Sequence, residues 1–168
     1  MSKKKKTIIR AVLTLLGTTA LFAPADRSMA QPSARHNVTV QVNAITAVQV
    51  TSGTVNLNIT NAVVVAGQDE MTVTDQSTNL LWGVNSSGRK VTVSTNLASP
   101  RYTLKILAMN PTQGMAAPEV TLSSAPQDLL LGIGRSSGTC TLRYTGTALA
   151  SQGTGNDIHV ITFTVQAQ

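Results

Sequence analysis

Residues 80–106 (LLWGVNSSGRKVTVSTNLASPRYTLKI) decide the fold class of this 168-residue chain. Apolar side chains recur at every second position in three runs: Trp82 and Val84, Val91 and Val93, and Tyr102, Leu104 and Ile106. Turn-forming sequence separates the runs, with Gly88 in the first break and Pro100 in the second. A period of two with such breaks is typical of antiparallel strands that bury one face. The stretch therefore predicts three antiparallel strands and an all-β protein.

The same alternation continues on both sides of this stretch. Further strands are predicted at residues 38–42, 45–50, 55–59, 63–65, 71–73, 120–122, 142–144 and 158–165. The three valines of 63–65 suggest a strand buried on both faces. Residues 126–133 (PQDLLLGI) are the one candidate for a helical turn, and residues 134–138 are expected to be a flexible break.

Roughly eight to ten short strands predict an immunoglobulin-like, two-sheet antiparallel β-sandwich. This single domain is expected to span residues 38–168. We expect its core to include the large side chains of the alternating runs, namely Trp82, Tyr102, Leu104, Ile106, Tyr144 and Phe163.

Residues 1–30 have the composition of a secretory signal peptide. Four lysines and Arg10 precede an apolar run of about 13 residues, and the small residues Ser28 and Ala30 suit signal peptidase. The apolar run is shorter than the roughly 20 residues that a membrane-spanning helix needs. We therefore expect cleavage after Ala30 and a flexible polar leader over residues 31–37, with an uncleaved anchor as the alternative.

Cleavage of this signal changes the charge of the chain. The full sequence carries 13 Lys and Arg residues and seven Asp and Glu residues. The signal holds six of the basic residues and one of the acidic residues, which leaves seven and six and a net charge of about +1. No basic patch then remains to neutralise phosphates, so nucleic acid is not an expected partner.

Reactive side chains do not converge in the sequence. His36 and His159 are the two histidines, and a zinc site needs three or four ligands. Asp157 and His159 lie two apart and could share a strand face, but we expect both to be polar strand residues. The acidic residues Asp69, Glu70 and Asp75 lack calcium-loop spacing. We therefore predict no catalytic residue, no cofactor-binding residue and no metal ligand, and hence a protein that is not an enzyme.

The C-terminal segment carries a resemblance. Residues 150–154 (ASQGT), Asp157 and the alternating run 158–165 (IHVITFTV) resemble the closing segment of small secreted bacterial sandwiches, of the type found in fimbrial subunits and in the spore coat protein U family. The opening residues 38–50 are similar to such proteins as well. The resemblance implies a sandwich fold and a surface location. Those families commonly carry a pair of cysteines, whereas this chain has only Cys140.

These observations favour an exported, non-enzymatic structural or interaction protein of the bacterial cell surface, such as a pilus-like or coat subunit. The expected location is secreted, extracellular or at the cell surface, with the periplasm as a further option. Its expected partners are copies of itself or other surface proteins. The alternative function is an extracellular carbohydrate-binding module that uses Trp82 or Tyr102.

Two segments leave alternatives open. Val38, Val40 and Val42 alternate strictly, so residues 38–42 can form the first strand of their own sandwich or be donated to a neighbouring subunit. We expect the first of these. The lone Cys140 is expected to be buried, with pairing between chains as the alternative.

Overall fold

The structure is a computed structural model that describes residues 34–168. The predicted signal peptide of residues 1–30 lies outside the described residues, as does the first part of the leader. The chain divides into two units, of which the first ends at Val40 and the second comprises Gln41–Gln168. In the first unit, residues 34–40 are exposed and belong to neither helix nor strand.

Residues 41–168 form nine β-strands and two short 3-10 helices. The strands are β1 Thr46–Val50, β2 Glu70–Val84, β3 Arg89–Thr95, β4 Thr103–Met109, β5 Met115–Ala116, β6 Val120–Thr121, β7 Gln127–Ile133, β8 Ser136–Leu149 and β9 Ile161–Ala167. The 3-10 helices are Asn61–Val63 and Ala150–Gln152.

The strands build two antiparallel sheets. The first sheet has the order β1-β2-β8-β4-β6, and the second has the order β5-β7-β3-β9. Leu80 and Leu142 of the first sheet and Val91 and Val93 of the second belong to one buried cluster. Because alternate side chains of both sheets meet there, the prediction of an all-β, two-sheet antiparallel sandwich is confirmed.

The longest strands, β2 and β8, join segments that the sequence pattern separates. β2 runs without a break through the predicted 71–73 strand to Val84, with an irregularity in its pairing between Asp75 and Thr78. β8 begins at Ser136, so the predicted break at 134–138 is wrong in its second half. Gly138 lies opposite Trp82 in the ladder and gives space to the indole ring.

The predicted helical turn at 126–133 is wrong, because this segment is strand β7. Its pairing with β3 shifts register on both sides of Val91. The shifts change which face successive residues occupy, so that the neighbours Leu129 and Leu130 are both fully buried. Consecutive apolar residues then give the segment the appearance of a helical turn rather than of an alternating strand.

Two other predicted strands are also wrong. Residues 55–59 belong to neither sheet, although their side chains alternate between half-buried and exposed. The valine run begins in the 3-10 helix Asn61–Val63, whose Ala62 N–H donates to the Thr60 hydroxyl. Val64 and Val65 are exposed rather than buried on both faces.

The predicted core is confirmed in its centre. Trp82, Ile106 and Tyr144 are buried, with exposed fractions of 5% or less. Tyr102, Leu104 and Phe163 are only half-buried, although they lie on the expected face. These three side chains line an opening between the sheets.

Candidate functional site

A groove of about 780 Å³ opens between the two sheets next to β9, and we call it the β9 groove. Its volume lies in the range of binding pockets. One wall is formed by residues 51–60 and the other by β9, while inner-face residues of β2, β4 and β8 form the floor. Its lining includes Val55, Leu57, Ile59, Thr78, Leu104, Tyr144, Gly146, Ala148, Asp157, His159, Ile161 and Phe163.

The first wall, residues 51–60, has the side-chain pattern of a strand without a ladder. Val55 and Leu57 are half-buried and pack against the core, and the asparagine between them is exposed. The Thr51 N–H donates to the Asn79 carbonyl at 3.0 Å. Between this bond and the 3-10 helix, residues 52–59 make no main-chain hydrogen bond to another main-chain group of residues 34–168. The sequence therefore predicted the buried face of this segment correctly but not its lack of pairing.

The second wall is β9, which is an edge strand. β9 pairs along its length with β3, and no other strand within residues 34–168 pairs with its second edge. Val160, just before β9, is held to the same side, because its N–H donates to Asn96 Oδ1 at 2.7 Å. Ile161 and Phe163 face inward yet stay half-buried, whereas Val91 and Val93 on β3 are almost fully buried. The inner face of β9 thus lacks part of its cover.

The floor follows the inward-facing positions of β8. Tyr144, Gly146 and Ala148 succeed one another toward the connection that leads to β9. A Cβ at Gly146 would lie 3.1 Å from Leu57 Cδ1. Gly146 therefore forms the depression into which Leu57 fits.

One end of the groove is polar and internally hydrogen-bonded. The Tyr102 N–H donates to Asp157 Oδ2 at 2.8 Å. His159 Nδ1 lies 3.1 Å from the Thr95 hydroxyl, and burial lowers the pKa of His159 against the opposing effect of Asp157. Asp157 and His159 share a face, as the sequence allowed, but their hydrogen bonds go to Tyr102 and Thr95. This end of the groove is held together by satisfied polar groups.

The other end of the floor contains a hydroxyl without a partner. Thr78 lies opposite Leu142 in the ladder and has an exposed fraction of 2%. Its Oγ1 is buried and has no hydrogen-bond partner among residues 34–168. Nearby on the floor, burial raises the pKa of Tyr144 from 10.0 to about 12, with a further contribution from Asp75. The β9 groove therefore has a mixed polar and apolar lining, with one unpaired hydroxyl buried at this end of its floor.

The aromatic residues of the carbohydrate-binding alternative have other roles here. Trp82 is 3% exposed, so its ring lies in the core and has no face open to a sugar. Tyr102 is half-buried at the rim of the groove, and its hydroxyl donates to the Gly153 carbonyl at 3.0 Å. Trp82 is therefore not available to stack on a sugar ring, whereas Tyr102 keeps part of its side chain exposed.

Cys140 is buried, as expected, with an exposed fraction of 2%. Burial raises the pKa of its thiol from 9.0 to about 11. In the part of the chain that the structure describes, His, Cys, Asp and Glu residues do not gather in threes around a metal position. Within the same residues, no helix is long and apolar enough to cross a membrane.

Residues 38–42 belong to neither helix nor strand, and their alternating valines are exposed. Val38 is 74% exposed, Val40 83% and Val42 69%. β1 begins only at Thr46, so the expectation that 38–42 form the first strand of their own sandwich is wrong. The sequence pattern singled out this segment but did not predict the β9 groove. Whether the edge of a strand is hydrogen-bonded to a neighbouring strand does not change the alternation of its side chains.

Comparisons with known proteins identify no family for this chain. The chain matches no protein-family model, and no curated protein matches it significantly.

Proposed function

We propose that this protein is an exported, non-enzymatic structural subunit of the bacterial cell surface that assembles with copies of itself. In this proposal, the β9 groove of one copy accepts residues 38–42 of the next copy as an added strand. The observation that carries the proposal is the β9 groove itself, which lies between residues 51–60 and β9, because these two segments are not paired with each other within residues 34–168.

The chemistry of strand addition favours the β9 groove as the acceptor. An added strand forms main-chain hydrogen bonds with an exposed sheet edge, and its alternate side chains fill pockets. The free edge of β9 offers the first of these, and the half-buried Ile161 and Phe163 offer the second. Pairing also removes an exposed edge, which is an aggregation hazard for an isolated sandwich.

Residues 38–42 have the properties required of the added strand. Three valines project from one face and are exposed, while Thr39 and Gln41 occupy the other face. Complete burial of one valine side chain contributes about 1.5–3 kcal/mol. A polar outer face next to a valine inner face matches a strand that is buried on one side only.

The export signal predicted for residues 1–30 and the resemblance of the C-terminal segment to fimbrial and coat subunits support a surface location.

A pair of single substitutions tests the assembly. Val40→Lys places a charge on the face that would enter the β9 groove, and Thr39→Lys places the same charge on the opposite face. We expect analytical ultracentrifugation to show concentration-dependent oligomers for the unaltered mature chain and for Thr39→Lys, but only monomers for Val40→Lys. Oligomers of equal size in both variants would rule out the insertion of residues 38–42.

Deletion of residues 31–43 supplies a second test. The truncated chain should keep its cooperative unfolding and lose its higher oligomers, since β1 begins at Thr46. If the truncated chain unfolds while the full mature chain is monomeric at every concentration, the segment stabilises its own sandwich and the proposal fails.

A further inference from the structure

We propose that copies of this chain meet end to end, with a basic end of one copy against an acidic end of the next. The complementary charges fix which ends meet and speed the association. This inference rests on the proposed function for the identity of the partner, which is a second copy, but the surfaces that it assigns are the two ends of the sandwich.

The ladders place two sets of connections at opposite ends of the sandwich. At one end Val84 of β2 lies opposite Ser136 of β8, and at the other end Glu70 lies opposite Leu149. β2 has 15 residues, so it spans about 45 Å at a rise of about 3.3 Å per residue. This length exceeds the Debye length of about 10 Å in 0.1 M salt. Each end therefore presents its own charge to a partner.

The end at which β3 and β8 begin is basic. Arg89 is the first residue of β3, and the exposed Arg135 directly precedes β8. Lys90 is balanced by its salt bridge to Asp128 at 2.8 Å, whereas neither arginine forms a salt bridge within residues 34–168. No Asp or Glu occurs in the connections at this end, which are residues 43–45, 85–88, 110–114 and 134–135. We call this surface, with Arg89 and Arg135, the basic end.

The opposite end is acidic. Asp69 and Glu70 are exposed at the start of β2, and Asp157 is half-buried in the connection from β8 to β9. Arg101 is the one basic residue in the segments at this end, which are residues 66–70, 96–102, 122–126 and 150–160. These four side chains form no salt bridge with one another or with other residues of 34–168. Three carboxylates against one guanidinium leave a net negative charge, and we call this surface the acidic end.

The two charges favour one arrangement of two copies. A basic end against an acidic end brings arginines close to carboxylates, whereas two basic ends or two acidic ends repel each other. Exposed ion pairs add little to affinity, but complementary fields raise association rates and exclude wrong partners. The contact joins unlike surfaces, so it is heterologous. Charge thus selects the ends that meet, and the proposed strand insertion supplies the affinity.

The segment proposed to enter the β9 groove is attached at the basic end. Asn85 holds the residues that follow it, since Asn85 Nδ2 donates to the Asn43 carbonyl at 2.7 Å and the Ile45 N–H donates to Asn85 Oδ1 at 2.8 Å. Asn156 and Asp157 of the acidic end line the β9 groove. Contact between unlike ends therefore brings residues 38–42 of one copy to the end at which the groove of the next copy lies.

Charge reversal at each end tests the proposal. The variant with Asp69→Lys and Glu70→Lys has two basic ends, and the variant with Arg89→Glu and Arg135→Glu has two acidic ends. In about 0.1 M salt, light scattering should show that each mature variant alone associates about tenfold more slowly than the unaltered mature chain. A mixture of the two variants should associate at nearly the unaltered rate, because each offers the ends that the other needs. In about 1 M salt these differences should largely disappear.

A control variant separates the position of the charges from net charge. Gln76→Glu together with Thr121→Glu adds negative charge at exposed positions between the two ends. This chain should associate at nearly the unaltered rate, and circular dichroism checks that every variant is folded. Charge-reversed variants that associate as fast as the unaltered chain overturn the inference. A mixture as slow as its components, or an equally slow control, overturns it as well.

Two outcomes separate the end contact from the insertion of residues 38–42. If Val40→Lys is monomeric while the charge-reversed variants associate normally, the insertion stands and the end contact is wrong. If Val40→Lys and Thr39→Lys associate alike while mixing still restores association of the charge-reversed variants, the end contact stands and the insertion is wrong. An unaltered mature chain that stays monomeric at every concentration contradicts both.

Discussion

At the scale of single residues, the packing of Trp82 depends on the glycine that faces it across the β2–β8 ladder. A Cβ at Gly138 would lie 2.4 Å from Trp82 Cζ2 and 2.6 Å from Cε2. Such distances are shorter than any tolerated contact, so the ring or the strand must move. Gly138 is thus required by the volume of one neighbouring side chain rather than by its own backbone conformation.

Gly138→Ala should therefore lower the free energy of unfolding by about 1–3 kcal/mol, which is the usual cost of overpacking. Gly83→Ala is the matched control, because a Cβ at this position on the same strand as Trp82 would meet nothing within 4 Å. Urea denaturation of the two variants measures the difference. Equal midpoints for both variants would show that the indole ring does not occupy the space over Gly138.

The buried thiol of Cys140 makes stability depend on alkaline pH. Burial raises its pKa from 9.0 to about 11, so the folded state holds the proton over a range in which the unfolded chain loses it. The stabilisation is complete below pH 9 and is lost as the pH rises through about 11. The free energy of unfolding should fall in this window by up to about 1.4 kcal/mol per pH unit.

Cys140→Val removes this titration, so its pH dependence should be flatter between pH 9 and 10, and above pH 10 only the contribution of Tyr144 should remain, because burial raises the pKa of that phenol from 10.0 to about 12. Denaturation midpoints across this range give the comparison. Parallel curves for the two proteins would mean that the thiol ionises equally well in the folded state.

The residues that sequence reasoning located well are those with a single strong preference. Trp82 and Ile106 are large, apolar and placed on an alternating face, and burial follows directly from these facts. Phe163 has the same preference yet is half-buried, because its cover depends on a neighbour that β9 lacks in residues 34–168. Burial at an edge depends on sheet order, which periodicity does not encode.

At the scale of elements, residues 51–60 form one wall of the β9 groove without being hydrogen-bonded into either sheet of the described residues. Val55 and Leu57 attach them to the core, and the first main-chain bond after Thr51 lies beyond Ile59 within the described residues. Main-chain hydrogen bonds protect amides from exchange, and exposed or unbonded segments open at low free energy. The amides of residues 55–59 should therefore exchange much faster than those of β8.

Hydrogen exchange followed by mass spectrometry checks this expectation, with β8 as the internal reference and a difference on the order of 100-fold. In assembled protein the same amides should become protected, because an entering strand pairs with this wall as well as with β9. Protection of residues 55–59 equal to that of β8 in the monomer would show that the wall is already part of a sheet.

Bulges explain where element prediction failed. The shifts around Val91 and between Asp75 and Thr78 move side chains from one face to the other within a strand. A strand that contains such a shift loses its period of two and then looks like a turn or like two strands. β7 and β2 were misassigned for this reason, while the regular strands β3, β4 and β9 were located from their alternation.

At the scale of the whole molecule, β9 is an edge strand within residues 34–168, and the proposed function predicts that a strand supplied within the same chain can pair with it. β9 ends at Ala167, one residue before Gln168. A second copy of residues 34–43 joined after Gln168 by a turn of about four residues can fold back along β9 as a hairpin. Because the linkage is intramolecular, this strand should exclude the corresponding strand of other copies.

This chain should also carry Val40→Lys at the original position, so that its own residues 38–42 do not insert into another copy. It should be monomeric and more stable than the Val40→Lys chain alone. Burial of the added valines should raise Tm by about 5–10 °C. In the control chain the three valines of the added copy are replaced by asparagine. This change keeps the length of the strand and its main-chain hydrogen-bonding groups but removes its apolar face. Equal Tm values for the valine and asparagine chains, measured by calorimetry, would mean that the β9 groove does not select an alternating apolar strand.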